Sequence, residues 1–315
     1  MKVFHSLAEA GTLSGSAVAL GNFDGVHLGH QALFAEAARR GVAVALTFDP
    51  HPGKVLQPDL APKLITTRER KLELMAECEL EAAILQPFSL EYARTSPAEF
   101  EASLLDGVGA RYLVVGVDFT YGAKRAGTVS TLREAARRRG AELHRVEPVT
   151  VDGVVVSSSK VREYILEGRV SAARRLLGRF FDLDGTVVPG AGRGRTIGFP
   201  TANVDTDNEL RPAPGVYAVR VFERAGADRR DPSLLPAAGQ VGAANIGVKP
   251  TFGGTEVTIE VHLVDFAGDL YARPLRVQFL ERLRPEQRFG SVNELATQIR
   301  RDVEQARTVA ARAGR

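Results

Sequence analysis

At 315 residues, 44% hydrophobic and 25% charged, the chain has room for two ordinary globular domains, and its composition excludes a disordered, collagen-like or disulfide-stapled protein. A net charge of +3, with seven Lys among 41 basic residues, excludes a strongly basic nucleic-acid binder. One cysteine, Cys78, excludes an internal disulfide, no stretch reaches transmembrane length, and residues 1–10 lack the apolar core of a signal peptide; the expectation is a cytoplasmic protein without membrane contact.

In chain order, Ala17-Val18-Ala19-Leu20 predicts a strand and Gln31 to Arg39 a helix, with a glycine-rich turn between them. Val42 to Phe48 is a continuous apolar run of strand length, followed by the turn Asp49-Pro50-His51-Pro52. A helix from Thr67 to about Glu79 is expected to start with a capping box of Thr66 and Glu69, and another to follow Ser96, with Pro97 first and Glu99 three residues on. Tyr112 to Val117 predicts a strand, Thr131 to Arg139 a helix closed by Gly140, its Arg137-Arg138-Arg139 complementing the dipole, and Glu142 to Val149 a strand. Strands separated by helices predict a Rossmann-like parallel sheet covered on both faces, with ligands at the carboxyl ends of its strands. Short helices over Lys160–Glu167 and Ser171–Leu177 then end at Gly168 and Gly178. From Phe181 the pattern changes: Val216 to Phe222, Val257 to Val264 and Leu275 to Phe279 alternate with period two between Gly and Pro turns, which predicts an antiparallel β-barrel, closed by a terminal helix from Ser291. The expected boundary separates residues 1–180 from 181–315, and Gly226 to Gly239 is expected to be a loop inserted between barrel strands.

The turn Gly21-Asn22-Phe23-Asp24-Gly25-Val26-His27-Leu28-Gly29-His30 holds an H-x-G-H signature between strand and helix. Its glycines let backbone approach phosphate, the helix start offers N–H groups and a positive dipole end, and His27 and His30 can donate to oxygens on which charge grows as an α-phosphorus is attacked. Ser157-Ser158-Ser159-Lys160-Val161-Arg162, hydroxyls at a helix start flanked by cations, suits the departing pyrophosphate. Together these two segments fit a nucleotidyl transferase. In the second half, Gly192-Arg193-Gly194-Arg195-Thr196-Ile197-Gly198-Phe199-Pro200-Thr201-Ala202-Asn203, with three glycines and a proline, predicts a loop that wraps phosphate, while Thr201 and Asn203, two apart on an extended segment, face one side and offer neutral oxygens to Mg²⁺ carried by a nucleotide. Glu260 is the candidate base; if Ile259 and Val261 face one side of a strand, Glu260 and His262 face the other.

On Gly21 to Gln31, Thr47 to Pro52, Gly116 to Gly122, Ser157 to Arg162, Gly194 to Asn203, Pro214 to Tyr217, Asn245 to Phe252 and Glu260 to Phe266, the sequence resembles the bifunctional riboflavin kinase/FMN adenylyltransferase family almost throughout its length. Ser159 and Val161 replace the Thr and Ile common in that family. The resemblance implies that riboflavin and ATP give FMN and ADP in the barrel, and that FMN and ATP give FAD and pyrophosphate in the α/β half. It implies that His27 and His30 stabilise the transferring adenylyl group; that Gly21, Asn22, Phe23, Gly29, Asp118, Ser158 and Arg162 contact nucleotide there; and that Asp49, Pro50, His51, Pro52 and Phe119 lie near the flavin. In the barrel it implies that Gly194, Arg195, Thr196, Gly198 and Pro200 hold ATP, Thr201 and Asn203 hold Mg²⁺, and Glu260 accepts the proton of the ribityl 5′-hydroxyl. The expected partners are these small molecules, with no nucleic acid and no membrane, and the expected state is a monomer or weak, transient oligomer. Two alternatives stand at this point: an H-x-G-H transferase for another acceptor fused to an unrelated barrel, and a flavin-binding regulator without catalysis. The Pro200 to Asn203 segment with Glu260 argues against the first, and the retained His27, His30, Thr201, Asn203 and Glu260 against the second.

Overall fold

The computed structural model describes residues 1–190, 193–224, 235–251 and 254–314. Two compact units result, Met1–Ser158 and Ser159–Arg315.

In the first unit, β1 (Lys2–Phe4), β2 (Ser16–Leu20), β3 (Val42–Asp49), β4 (Ala82–Pro87), β5 (Tyr112–Gly116) and β8 (Glu142–Val146) form one sheet in the order β1-β4-β3-β2-β5-β8. Every pairing in it is parallel. The two-residue ladders β6 (Thr120–Tyr121) with β7 (Gly127–Thr128), and β9 (Thr150–Val151) with β10 (Val154–Val155), lie outside it. Helices α1 (Leu7–Ala10), α2 (Leu28–Ala38), α3 (Pro52–Leu56), α4 (Arg68–Glu77), α5 (Pro97–Ala102) and α6 (Val129–Arg138) connect the strands. Because both faces are covered there, the central strands β2, β3 and β5 carry runs of buried apolar residues. Val18, Leu20, Val44, Leu46, Ile84 and Leu113 belong to one core cluster, while Ala17, Ala19, Ala45, Ala83 and Val114 belong to another with Phe34 and Met75. Large side chains thus fill one side and alanines the other, where α2 approaches the sheet.

Several helix starts differ from the sequence expectation; α6, for one, begins at Val129, two residues early, with Thr128 as its cap. Helix α2 begins at Leu28, three residues early, because the His27 ring supplies the cap: its Nδ1 accepts from the His30 N–H. Helix α4 is capped by Thr67, not Thr66, whose hydroxyl instead accepts from Gly25 N–H. Helix α7 (Ser158–Leu166) starts two residues early, so Ser158 is its first residue and not a preceding cap.

The second unit is a closed barrel of β11 (Phe181–Val188), β12 (Ala202–Asp205), β15 (Gly254–Leu263), β14 (Gln240–Thr251), β13 (Gly215–Glu223) and β16 (Pro274–Arg284), in that order around the ring. All six pairings are antiparallel. Phe181, Tyr217 and Phe279 are buried and touch through ring centroids 6.0 and 5.4 Å apart. Helix α10 (Val292–Ala313), capped by Ser291 as expected, packs Ala306 and Ala310 against Ala218 and Leu280. Arg284 and Asp302 clamp it to β16, with Nη2 to Oδ2 at 2.8 Å and Nε to Oδ1 at 3.0 Å. Helix α8 (Val170–Leu177) lies against β11 and β16. Of the expected 226–239 insertion, residues 226–234 lie outside the described residues, as does Gly192 of the glycine-rich stretch.

Candidate active sites

The first site forms where β2, β3 and β5 end. The loop from Gly21 to His27 is held in place through Asp24, which is buried. Its carboxylate accepts from the backbone N–H groups of Ile65 at 3.0 Å and Thr66 at 3.2 Å, and its carbonyl accepts from the Ser158 hydroxyl at 2.9 Å. Thr47 donates to the Asn22 carbonyl at 2.9 Å, and the Lys71 ammonium reaches the Thr47 hydroxyl at 3.4 Å. Burial pushes the Lys71 ammonium below the ordinary lysine range, and Asp24 and Asp49 pull it partly back. The loop takes two positive φ angles outside glycine, 51° at Phe23 and 41° at Val26, a cost sustained only where the surroundings over-determine the backbone.

His27 is buried and His30 half-buried, and their rings stack at 3.6 Å. Since His27 Nδ1 accepts a backbone N–H, its proton resides on Nε2, the orientation of a neutral hydrogen-bond donor. Phe23 supports the pair, edge-on to His30 at 5.3 Å. A Cβ at Gly29 would press on the His27 ring at 3.2 Å, which explains glycine there. Ser158 opens α7, with Arg162 one turn further along the same helix face.

The residues expected near the flavin occupy two segments. Asp49 ends β3 and accepts from Arg68 at 3.3 Å, the Asp49–Pro50 bond is cis, His51 caps α3 through Nδ1 and Pro52 is its first residue. Asp118 is exposed beside Gly116, and Phe119 stacks on Tyr121 at 5.9 Å. The turn between β4 and α5 links the two: Phe88 N–H donates to the Asp49 carbonyl at 3.1 Å, Tyr92 packs on Phe48 at 6.1 Å, and Ala123 N–H donates to Thr95 at 2.7 Å. Tyr121 anchors the second segment by donating to buried Glu101 at 2.5 Å, and burial holds its phenol far above the usual tyrosine range.

The second site lies on the outer face of the barrel. Ile259, Val261 and Leu263 are buried inside with Ala244 and Ile246, so Glu260 faces out as expected. The ladder places Asn203 of β12 opposite Glu260 and, on its other side, Asn245 of β14 opposite Glu260, giving one row across three strands. The segment expected as an open phosphate-wrapping loop departs from that expectation. Arg193–Thr196 is a short helix, α9, and the N–H groups of Ile197, Gly198 and Phe199 are spent on the carbonyls of Gly194 and Arg195. His262 Nδ1–H donates to the Pro200 carbonyl at 2.8 Å and its ring meets Phe199 at 5.4 Å, which ties this turn to β15. Arg195, Pro200 and Thr201 line an open cleft together with Val187, Leu263 and Tyr271.

Gly190 lies directly under the Asn203 amide, and a Cβ at Gly194 would come within 3.3 Å of the Thr201 hydroxyl. Glycine at 190 lets the chain pass close against the Asn203 amide, and glycine at 194 lets it pass close against the Phe199 carbonyl. Among the described residues no cluster of His, Cys, Asp and Glu could hold a metal. The donor set is neutral, which fits a hard cation arriving with nucleotide phosphates and not a resident ion.

Asp24, Thr47 and Asn245 lie within the sequence motifs, which assign them no part, and Lys71 lies outside every motif. A carboxylate in a glycine-rich turn was the available signal for Asp24. For Lys71 none existed, because its burial depends on where α4 lands.

No helix among the described residues is long and apolar enough to cross a membrane. Models of two families match the chain: FAD synthetase over residues 10–160 and riboflavin kinase over residues 177–310. The bifunctional riboflavin kinase/FMN adenylyltransferase of Escherichia coli (strain K12) is 38% identical over 304 residues, covering 95% of this chain and 93% of its own. That of Bacillus subtilis (strain 168) is 37% identical over 303 residues, covering 92% and 91%. A crystal structure described as a macrolide-efflux protein from Streptococcus pneumoniae superposes with a TM-score of 0.86 at 33% identity, covering 97% of this chain and 98% of its own. Two family models in tandem, full-length relatives and a parallel-sheet unit followed by a closed barrel agree: this chain belongs to the bifunctional riboflavin kinase/FMN adenylyltransferase family.

Proposed function

We propose that residues 181–315 transfer the γ-phosphoryl group of ATP to riboflavin, giving FMN and ADP, and that residues 1–180 transfer the adenylyl group of a second ATP to FMN, giving FAD and pyrophosphate. The observation that carries the reading is the pairing of Asn203 with Glu260 on the outer face of the barrel, with Pro200 of the neighbouring turn held by His262, two residues along the strand from Glu260.

In the kinase, Glu260 accepts the proton of the 5′-hydroxyl as the oxygen attacks phosphorus. Gly194, Arg195, Thr196, Gly198 and Pro200 seat the nucleotide, with Arg195 supplying positive charge at the cleft wall. Thr201 and Asn203 are the residues that would hold Mg²⁺, which supplies charge neutralisation of the phosphates when bound. In the adenylyltransferase, the Nε2–H of His27 and the ring of His30 donate to the non-bridging oxygens of the α-phosphate, where negative charge grows in the transition state. Gly21, Asn22, Phe23, Gly29 and Asp118 border the same nucleotide, Ser158 and Arg162 hold the leaving pyrophosphate, and the Asp49–Pro52 segment and Phe119 border the flavin. Both substrates and products are small and water-soluble, so the chain works in the cytoplasm without a nucleic-acid or membrane partner, as a monomer or transient oligomer. The test is incubation with riboflavin, ATP and Mg²⁺ and chromatographic separation of the flavins. FMN followed by FAD is expected; the absence of both overturns the reading.

A further inference from the structure

Lys71 on α4 carries a positive charge that the first unit does not itself consume. Among the described residues its ammonium makes one hydrogen bond, to the Thr47 hydroxyl at 3.4 Å, and no ion pair. The Thr47 proton goes to the Asn22 carbonyl, so Thr47 only accepts from Lys71, and two of the three ammonium protons stay unspent. The carboxylates whose charge Lys71 feels are directed elsewhere: Asp24 accepts from the N–H groups of Ile65 and Thr66, and Asp49 from Arg68. Burial nonetheless holds the ammonium below the ordinary lysine range. A cation drawn partly out of water without a matched anion is costly, and such a group in a ligand site marks where a ligand completes it. The side chain is only half-buried, and Asn22, two hydrogen bonds away, is exposed.

Position selects the anion. Thr47 stands near the carboxyl end of β3, between the loop from Asn22 to His30, which borders ATP in the reading above, and Asp49, where the segment bordering the flavin begins. Three anionic groups meet in adenylyl transfer. His27 and His30 serve the α-phosphate, and Ser158 and Arg162 the pyrophosphate. The 5′-phosphate of FMN, which must lie between the flavin ring and the α-phosphorus, has no cation from either set. A compact ammonium with unspent donors suits a terminal phosphate dianion. We infer that Lys71 binds the 5′-phosphate of FMN and is the residue that selects a phosphorylated acceptor. An oxygen of that phosphate forms the new bond to the α-phosphorus, while the bond from the α-phosphorus to its bridging oxygen breaks and pyrophosphate leaves with the electron pair. Lys71 transfers no proton in this step; its charge screens the repulsion between the two phosphates as they approach. This rests on the adenylyltransferase reading above and adds to it the residue that distinguishes FMN from riboflavin.

The experiment measures FAD formation from supplied FMN and ATP by the full chain, by Lys71→Met, which keeps the length of the side chain and removes its charge, and by Lys71→Gln, which can still donate to Thr47. Both variants should raise the KM for FMN about ten- to a hundredfold, the worth of a charge-assisted hydrogen bond, and leave the KM for ATP within about twofold. 5′-Deoxyriboflavin has the ring system, cannot be phosphorylated and competes with FMN. Its inhibition constant should be the same in all three proteins, which also shows that the variants keep the site folded. The inference is overturned if Lys71→Met leaves the KM for FMN unmoved, or if Lys71→Gln has the wild-type value, because the hydrogen bond to Thr47 then suffices without charge. It is overturned equally if the KM for ATP or the inhibition constant of 5′-deoxyriboflavin rises by the same factor as the KM for FMN, because Lys71 then shapes the site and does not bind the phosphate. A wild type that makes no FAD overturns the adenylyltransferase reading, and this inference with it; FAD formation with an unmoved KM overturns the inference alone.

Discussion

The hydroxyl of Ser158 donates to the backbone carbonyl of Asp24 across 134 positions of sequence, at 2.9 Å. One residue thereby joins the loop that carries His27 and His30 to the start of the helix expected to hold pyrophosphate. The Asp24 carboxylate meanwhile fixes the approach to α4 through Ile65 and Thr66. Asp24→Ala should therefore leave buried N–H groups unpaired at about 1–3 kcal/mol and depress FAD formation far more than FMN formation. Denaturant unfolding and separate assays of the two steps measure the two effects.

His27→Ala and His30→Ala should each slow FAD formation while FMN accumulates. Loss of one preorganised donor to developing charge costs roughly 2.7–4 kcal/mol, about a hundred- to a thousandfold in rate. Equal loss of both activities in a folded variant would contradict separate sites.

Glu260→Gln keeps size and hydrogen bonding but removes the base. Riboflavin phosphorylation should fall by about a hundred- to ten-thousandfold, with riboflavin affinity little changed and supplied FMN still converted to FAD. A rate within a few-fold of wild type would reduce Glu260 to an exposed strand residue.

Asp302 is 3% exposed and its partner Arg284 17%, so Asp302→Ala strands a largely desolvated guanidinium between β16 and α10. The expected loss is about 3–5 kcal/mol of stability, read as a lowered denaturation midpoint. A change below about 1 kcal/mol would mean the pair behaves as a surface one.

A fragment of residues 159–315 should phosphorylate riboflavin and make no FAD, and it should be more stable than 181–315. Val170, Ala173, Leu176 and Leu177 of α8 are buried, and α8 lies against β11 and β16. Removing it exposes that apolar face at roughly 25 cal/mol per Å². Equal midpoints for the two fragments would show that α8 adds nothing to the barrel.

Periodicity carried most of the fold into the sequence. The buried runs of β2, β3 and β5 and the alternation of β13 and β15 are local signals, and so is the outward face of Glu260, which follows from its neighbours Ile259 and Val261. Helix starts were less legible where a polar residue had a competing partner. Thr66 looks like a cap, yet its hydroxyl goes to Gly25, 41 positions away, and Thr67 caps in its place. His27 was legible as chemistry but not as the cap of its own helix. The turn after Arg193 hid in the same way, because two glycines and a proline suit an exposed phosphate wrap and a self-bonded turn equally well. Asn245 and Glu260 are 15 positions apart in sequence, and only the ladder register makes them neighbours.

With the barrel lumen filled by Phe181, Tyr217 and Phe279, the residues proposed for chemistry stand on its outer skin. Stability and selectivity are thus written on opposite sides of the same strands. A substitution at an outward position such as Thr258 draws on a surface cost of about 0.5 kcal/mol or less, whereas truncating an inward ring costs about 3–5 kcal/mol. Acceptor preference can consequently drift or be re-engineered one outward residue at a time, while the scaffold tolerates each intermediate.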